Sequence, residues 1–156
     1  MTSLVEFLFR LARCSSGSAL VETAMVLPIM ISLMVGGVDF GMAFSAHATV
    51  GKSVRDAARY LGSLPPTAAC STWAIANAKN LAVFGRLSPG NGDSALIPGW
   101  QTDGGTDNNV GVDCSTPSII IVSAKAPYRT FMLGAVLPGI GTITLSAQHE
   151  EQSIGG

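Results

Sequence analysis

From Thr23 to Val38 no side chain carries a charge, and Met, Val, Leu and Ile dominate. With Ser18 to Val21 before this run and Phe40 to Ala46 after it, roughly 20 to 25 mostly apolar residues stand in line, enough to cross a hydrocarbon core of about 30 Å at 1.5 Å per residue. Two acids bracket the run, Glu22 and Asp39. A carboxylate is expensive at the bilayer centre and cheaper near an interface, so Asp39 is expected at the far interface. Glu22 lies just inside the run with no Lys or Arg beside it. It is expected to pair with a group outside its own helix.

Beyond His47 the helix is expected to continue. Val50, Val54, Ala57, Ala58 and Leu61 recur at helical spacing, while Lys52, Arg55, Asp56 and Arg59 face elsewhere. That is an amphipathic stripe, and Pro65-Pro66 ends it. Thr67 to Phe84 reads as a second helix, with Trp73, Asn77, Asn80, Leu81 and Phe84 on one face and Trp73 a packing residue. Gly85 suits its C-cap. Arg86 to Pro117 reads as a long irregular stretch punctuated by Gly, Pro, Asn and Asp. Ser118 to Ala126 is β-branched and reads as a strand that Pro127 stops. Thr142 to Gln148 alternates, placing Ile143, Leu145 and Ala147 on one face of a second strand. Leu133, Val136 and Leu137 between the strands either pack on the sheet or form an apolar loop near the membrane. The expected class is α+β: a long N-terminal transmembrane helix extends into a small domain with a second helix and a small antiparallel sheet. The expected boundaries are a leader over 1–17, the transmembrane helix over 18–46, its continuation over 47–64, and a periplasmic α+β domain over 65–156.

Composition narrows the function classes. The chain is 47% hydrophobic and only 12% charged, with formal net charge -1. No electrostatic footprint for nucleic acid is present. Of the three cysteines, Cys14 precedes the apolar run and Cys70 and Cys114 follow it. No CxxC occurs, and His47 and His149 are far apart, so a zinc site is not expected. Cys70 with Cys114 reads as one disulfide, which requires an oxidising compartment. Asp103, Asp107, Asn109 and Asp113 have irregular spacing that does not fit an EF-hand loop. No P-loop, dinucleotide fingerprint or nucleophile signature appears, and neither an enzyme nor a cofactor is expected.

The first sixteen residues carry Arg10 and Arg13 against Glu6 ahead of the apolar run, in the manner of a signal peptide or signal anchor. The positive-inside rule puts those arginines in the cytoplasm, although Lys52, Arg55 and Arg59 lie near the other end. The disulfide favours the C-terminal domain outside. Gly37 and Gly41 form G-x-x-x-G, either a close-approach face for another helix or ordinary membrane-helix glycine. Pro28 either bends the helix or is simply tolerated.

Gly17-Ser18-Ala19-Leu20-Val21-Glu22 ahead of a long apolar helix resembles the prepilin cleavage motif of type IV pilins and pseudopilins. The segment from Ala19 to Ser63, with Val21-Glu22, Val26-Leu27-Pro28, Val38-Asp39-Phe40-Gly41 and Ala57-Ala58-Arg59, resembles the TadE-like family, the minor pseudopilins of the tight-adherence (Tad, or Flp) pilus. Asp39 stands where glutamate is more frequent. The resemblance implies cleavage between Gly17 and Ser18 by a prepilin peptidase, which leaves a new ammonium at Ser18. It also implies that Glu22 pairs with the terminal ammonium of a neighbouring subunit, lowering the burial cost of both charges. The implied partners are the peptidase, other Tad pilins and assembly proteins, and membrane lipid. A membrane-anchored periplasmic binding module unrelated to pili is the alternative, and processing distinguishes the two.

Overall fold

A computed structural model describes residues 15–116, 119–132, 134 and 141–152. Residues 1–14, with Arg10, Arg13 and Cys14, lie outside them, as do Leu133, Val136 and Leu137. The chain divides into two units, Met1–Val38 and Asp39–Gly156. In the first, the described residues form one helix; the second carries the remaining elements. Helix α1 spans Ser15–Gly62, α2 Pro66–Ala69 and α3 Thr72–Phe84; strands follow at β1 Asn109–Thr116, β2 Ile119–Arg129 and β3 Thr142–Gln152. The strands form one antiparallel sheet in the order β1-β2-β3. The architecture is α+β, as the sequence pattern implies.

The stripe on the second half of α1 becomes the core. Val50, Val54, Ala57, Ala58 and Leu61 are fully buried. They join Val110 of β1, Ile120, Val122, Ala124 and Ala126 of β2, and Leu145 of β3 in one cluster. The period-3.6 stripe of a helix thus meets the period-2 face of a sheet, which is the arrangement that lets each bury its apolar side. Helix α1 also touches β3 at two separated points. His47 Nε2 lies 3.2 Å from the Ser146 carbonyl, which it meets as donor in the Nε2-protonated tautomer. At Gly62 a Cβ would stand 2.9 Å from Glu151 Cγ and 3.3 Å from the Gln152 carbonyl, so only glycine allows that approach without a shift.

The expected second helix is two pieces. Residues Pro66–Ala69 form a short turn of helix, and Cys70 and Ser71 break it before α3 begins. Ser71 is extended (φ -70°, ψ 153°), its hydroxyl oxygen accepts from Ala74 N–H, and it donates to the Ala68 carbonyl at 2.6 Å. One hydroxyl therefore ends one helix and caps the next. Ser71→Ala is expected to cost about 1 kcal/mol, read as a lowered denaturation midpoint of the detergent-solubilised chain. Gly85 closes α3 in the left-handed region (φ 71°), with its N–H on the Leu81 carbonyl. The buried face of α3 is Ala74, Ala78, Ala82 and Val83, one residue out of phase with the expected face. Trp73 is 53% exposed, not a packing residue. Alanines at i, i+4 and i+8 bring the α3 backbone close to its neighbours, and an indole on that face has no room.

Two differences concern the sheet. Strand β1 lies inside the stretch expected to be irregular. Its alternation, Val110 and Val112 between Gly111 and Asp113, is short and diluted by turn formers. The register of β1 against β2 shifts between Asp113 and Thr116. There the Asp113 carboxylate accepts from the Ser115 hydroxyl and, at 2.9 Å, from its backbone N–H. Those bonds, the hydroxyl first, hold the Asp113 carboxyl below its usual range. Strand β2 runs through Pro127 to Arg129 instead of stopping. Strand β1 reaches only to Lys125, so beyond that point β2 pairs with β3 alone. A proline nitrogen turned to that open side forfeits no ladder bond.

Candidate functional site

The functional residues expected from sequence lie on α1. Gly17 and Ser18 fall in its first turn, and Glu22 follows about 6 Å along the axis from Ser18. Glu22 is exposed and has no ion-pair or hydrogen-bond partner among the described residues. Around it the helix shows bare hydrocarbon: Leu20, Val21, Met25, Val26, Leu27, Ile29 and Met30 are all exposed. The exposure continues through Ile31, Leu33, Met34 and Val38. Such a contiguous apolar surface does not face water in a stable protein, and the helix is long and apolar enough to cross a membrane. Two of its hydroxyls are turned inward. Thr23 Oγ1 donates to the Ala19 carbonyl and Ser32 Oγ to the Pro28 carbonyl, both at 2.8 Å. Each hydroxyl proton is thereby satisfied within its own helix, as an apolar solvent demands. The helix continues through Pro28. A Cβ added at Gly36, Gly37 or Gly41 would meet nothing within 4 Å. These glycines answer no packing need within the described residues, and a surface without side chains suits the close approach of another helix.

Asp39 is only 4% exposed within the protein. Its carboxylate accepts from the backbone N–H of Phe131 at 3.1 Å and from that of Met132 at 3.0 Å. The acid therefore clasps the start of the β2–β3 connection to α1. Burying a carboxylate is tolerable only with such charge-assisted donors. No local signal marks this pairing, because the partners lie more than ninety positions away (|i−j| = 92 and 93). The one hint is chemical: an acid closing an apolar run needs donors, and nearby chain supplies no arginine or lysine.

Cys70 and Cys114 form the second long-range tie. Their sulfurs are 2.11 Å apart and their Cα atoms 6.3 Å. The bond joins the turn between α2 and α3 to β1, and so ties the long 86–108 segment at its far end. Within that segment Lys79 meets Asp103, Arg86 meets Asp93 and Lys125 meets Asp107. The acids there are thus partnered with cations, and no group of three metal-ligating side chains occurs among the described residues.

Residues 17–59 match the family model described as TadE-like protein. Over this segment the chain is similar to TadE-like proteins. The match contains the Gly17-Ser18 junction, Glu22, Pro28, Asp39 and the buried stripe as far as Arg59. It excludes the disulfide and the whole sheet. No curated protein and no solved structure matches the chain. The TadE-like segment is therefore one continuous helix whose first part is exposed hydrocarbon and whose last part is core.

Proposed function

We propose that this TadE-like chain is a minor pseudopilin that acts in assembly of a Tad-type pilus. A precursor inserts in the inner membrane with residues 1–17 in the cytoplasm, and a prepilin peptidase cuts between Gly17 and Ser18. The observation that carries the reading is the TadE-like match over 17–59 coinciding with the exposed apolar face of α1. A helix that buries nothing of its own along that face needs lipid or other helices around it. Other Tad pilins are the helices proposed to pack there, and assembly proteins are proposed to meet the periplasmic domain.

Glu22 then has a task. Cleavage creates an ammonium at Ser18, and the unpartnered Glu22 carboxylate receives the ammonium of a neighbouring subunit. Two charges that are each costly in hydrocarbon become one hydrogen-bonded pair. The pairing fixes how far adjacent helices are staggered along the axis.

N-terminal sequencing of the membrane form tests the processing. A start at Ser18 that requires a co-expressed prepilin peptidase is expected. A start at Met1 with and without the peptidase would leave a membrane-anchored domain of another role. A start near Ala46 would mean that the apolar run is a removed signal. Glu22→Ala is expected to be processed normally while its co-purification with other pilins drops at least about tenfold, the equivalent of a single pair worth 1.4 kcal/mol or more. Undiminished co-purification would remove Glu22 from the contact.

A further inference from the structure

The Cys70–Cys114 bond is open to solvent on one side. Cys70 is exposed, whereas Cys114 is half-buried on β1. Cys70 stands in the break between α2 and α3. Its chain neighbours Pro65, Pro66, Thr67, Thr72 and Trp73 are exposed as well. The described residues thus leave Cys70 within reach of a molecule in solution. A disulfide is opened by a thiolate that must reach one of the two sulfurs. Access selects Cys70 as the sulfur attacked and Cys114 as the one that leaves.

The two ends of the bond also differ in what else holds them. The turn at Cys70 has bonds of its own, because the Ser71 hydroxyl caps α3 and donates to the Ala68 carbonyl. Cys114 has weaker support. It lies on an outer strand, where the β1–β2 register shifts between Asp113 and Thr116. Breaking the bond therefore leaves the Cys70 turn standing and frees the end of β1, and with it the far tie of the 86–108 segment. Local opening of this kind needs no global unfolding. Both cysteines lie beyond the segment that matches TadE-like proteins, which stops at residue 59.

We propose that Cys70–Cys114 is a reversible redox staple, opened in the folded protein by a dithiol oxidoreductase that attacks Cys70. The reductant's thiolate bonds to Cys70 Sγ as the Cys70–Cys114 bond breaks. Cys114 Sγ leaves with the electron pair and takes a proton from solvent. The reductant's second thiol gives its proton to solvent, bonds to the first reductant sulfur and expels Cys70 as a thiolate, which is protonated in turn. Two electrons pass to the protein, and the dithiol ends as a disulfide. The oxidation state of this one bond then sets whether β1 is held.

The test uses the full chain in detergent with Cys14→Ser, which leaves Cys70 and Cys114 as its cysteines. The probes are dithiothreitol and a thioredoxin whose second active-site cysteine is replaced by serine, so that it stops at the mixed disulfide. Without denaturant, dithiothreitol is expected to open the bond at least about tenfold faster than the β2–β3 pairs lose amide protection. Peptide mapping of the trapped complex is expected to find thioredoxin on Cys70 over Cys114 by about ten to one. Oxidised glutathione, added after the dithiothreitol is removed, is expected to restore the bond. Opening no faster than the loss of β2–β3 protection would mean that the bond yields only in the unfolded chain, and would overturn the proposal. Capture on Cys114, or on both cysteines alike, would overturn the attack at Cys70. Reduction by dithiothreitol with no capture by thioredoxin would overturn the oxidoreductase as partner, and a chain that stays reduced would overturn the reversibility.

Discussion

Asp39→Ala is expected to destabilise the protein by about 3 kcal/mol, because two charge-assisted hydrogen bonds are lost and two N–H groups lose their acceptor. The damage should be local. The β2–β3 connection comes free of α1, while the core around Val54 and Val122 keeps its contacts. Limited trypsin digestion should then cut after Arg129 much faster than in the unmodified protein. Asp39→Asn retains one acceptor oxygen of similar shape and should cost roughly half as much. The measurement is the denaturation midpoint in detergent for the three proteins together with the rate of cleavage at Arg129. Equal midpoints and equal cleavage rates would show that the clasp contributes nothing. The ordering matters more than the size: a purely steric role for residue 39 would make Asn and Asp equivalent.

The Cys70–Cys114 bond closes a loop with a sequence separation of 44 residues. Loop-closure entropy for that length gives a stabilisation of about 4 kcal/mol. Cys114→Ser, or reduction of the unmodified protein, is therefore expected to lower the denaturation midpoint by more than any single cap or surface substitution. Strand β1 should be the first element to loosen. It is an outer strand, shorter than its partner, with a register shift at the end nearest Cys114. Amide exchange along β1, compared between oxidised and reduced protein, checks this directly. Protection that is lost over Asn109–Thr116 while β2–β3 pairs stay protected is the expected outcome. Uniform loss across the sheet would mean that β1 is integral to a single cooperative unit.

Long α1 was legible because two strong periodic signals meet in it. An uncharged run of helical length fixes the first half, and the Val50–Leu61 stripe fixes the second. Gly85 and the alternation at Ile143, Leu145 and Ala147 were legible for equally local reasons. What escaped was non-local or compressed. Strand β1 shows only two clear alternations before turn residues intervene. Ser71 lies among the weak helix formers Cys70 and Thr72, but the alanines on both sides carry the helical pattern across the break. The buried face of α3 follows the alanines and not the large side chains, because close packing selects small residues there. Asp39 escaped for a different reason. Its donors are main-chain groups, which every residue carries, so no side-chain pattern announces them.

The contacts of His47 and Gly62 with β3 bear on how copies of this chain can associate. From residue 47 to residue 62 a helix rises about 22 Å, and from 146 to 152 a strand extends about 20 Å. Helix α1 therefore keeps company with β3 along its second half, and the histidine takes up one carbonyl of that strand. A strand added by a neighbour at that edge would have to compete with the histidine for the carbonyl. Any assembly of copies of this chain is expected to owe its cohesion to the exposed apolar helix and not to cross-strand ladders. It should accordingly dissolve in detergents that solvate apolar helices, where a cross-β polymer would persist.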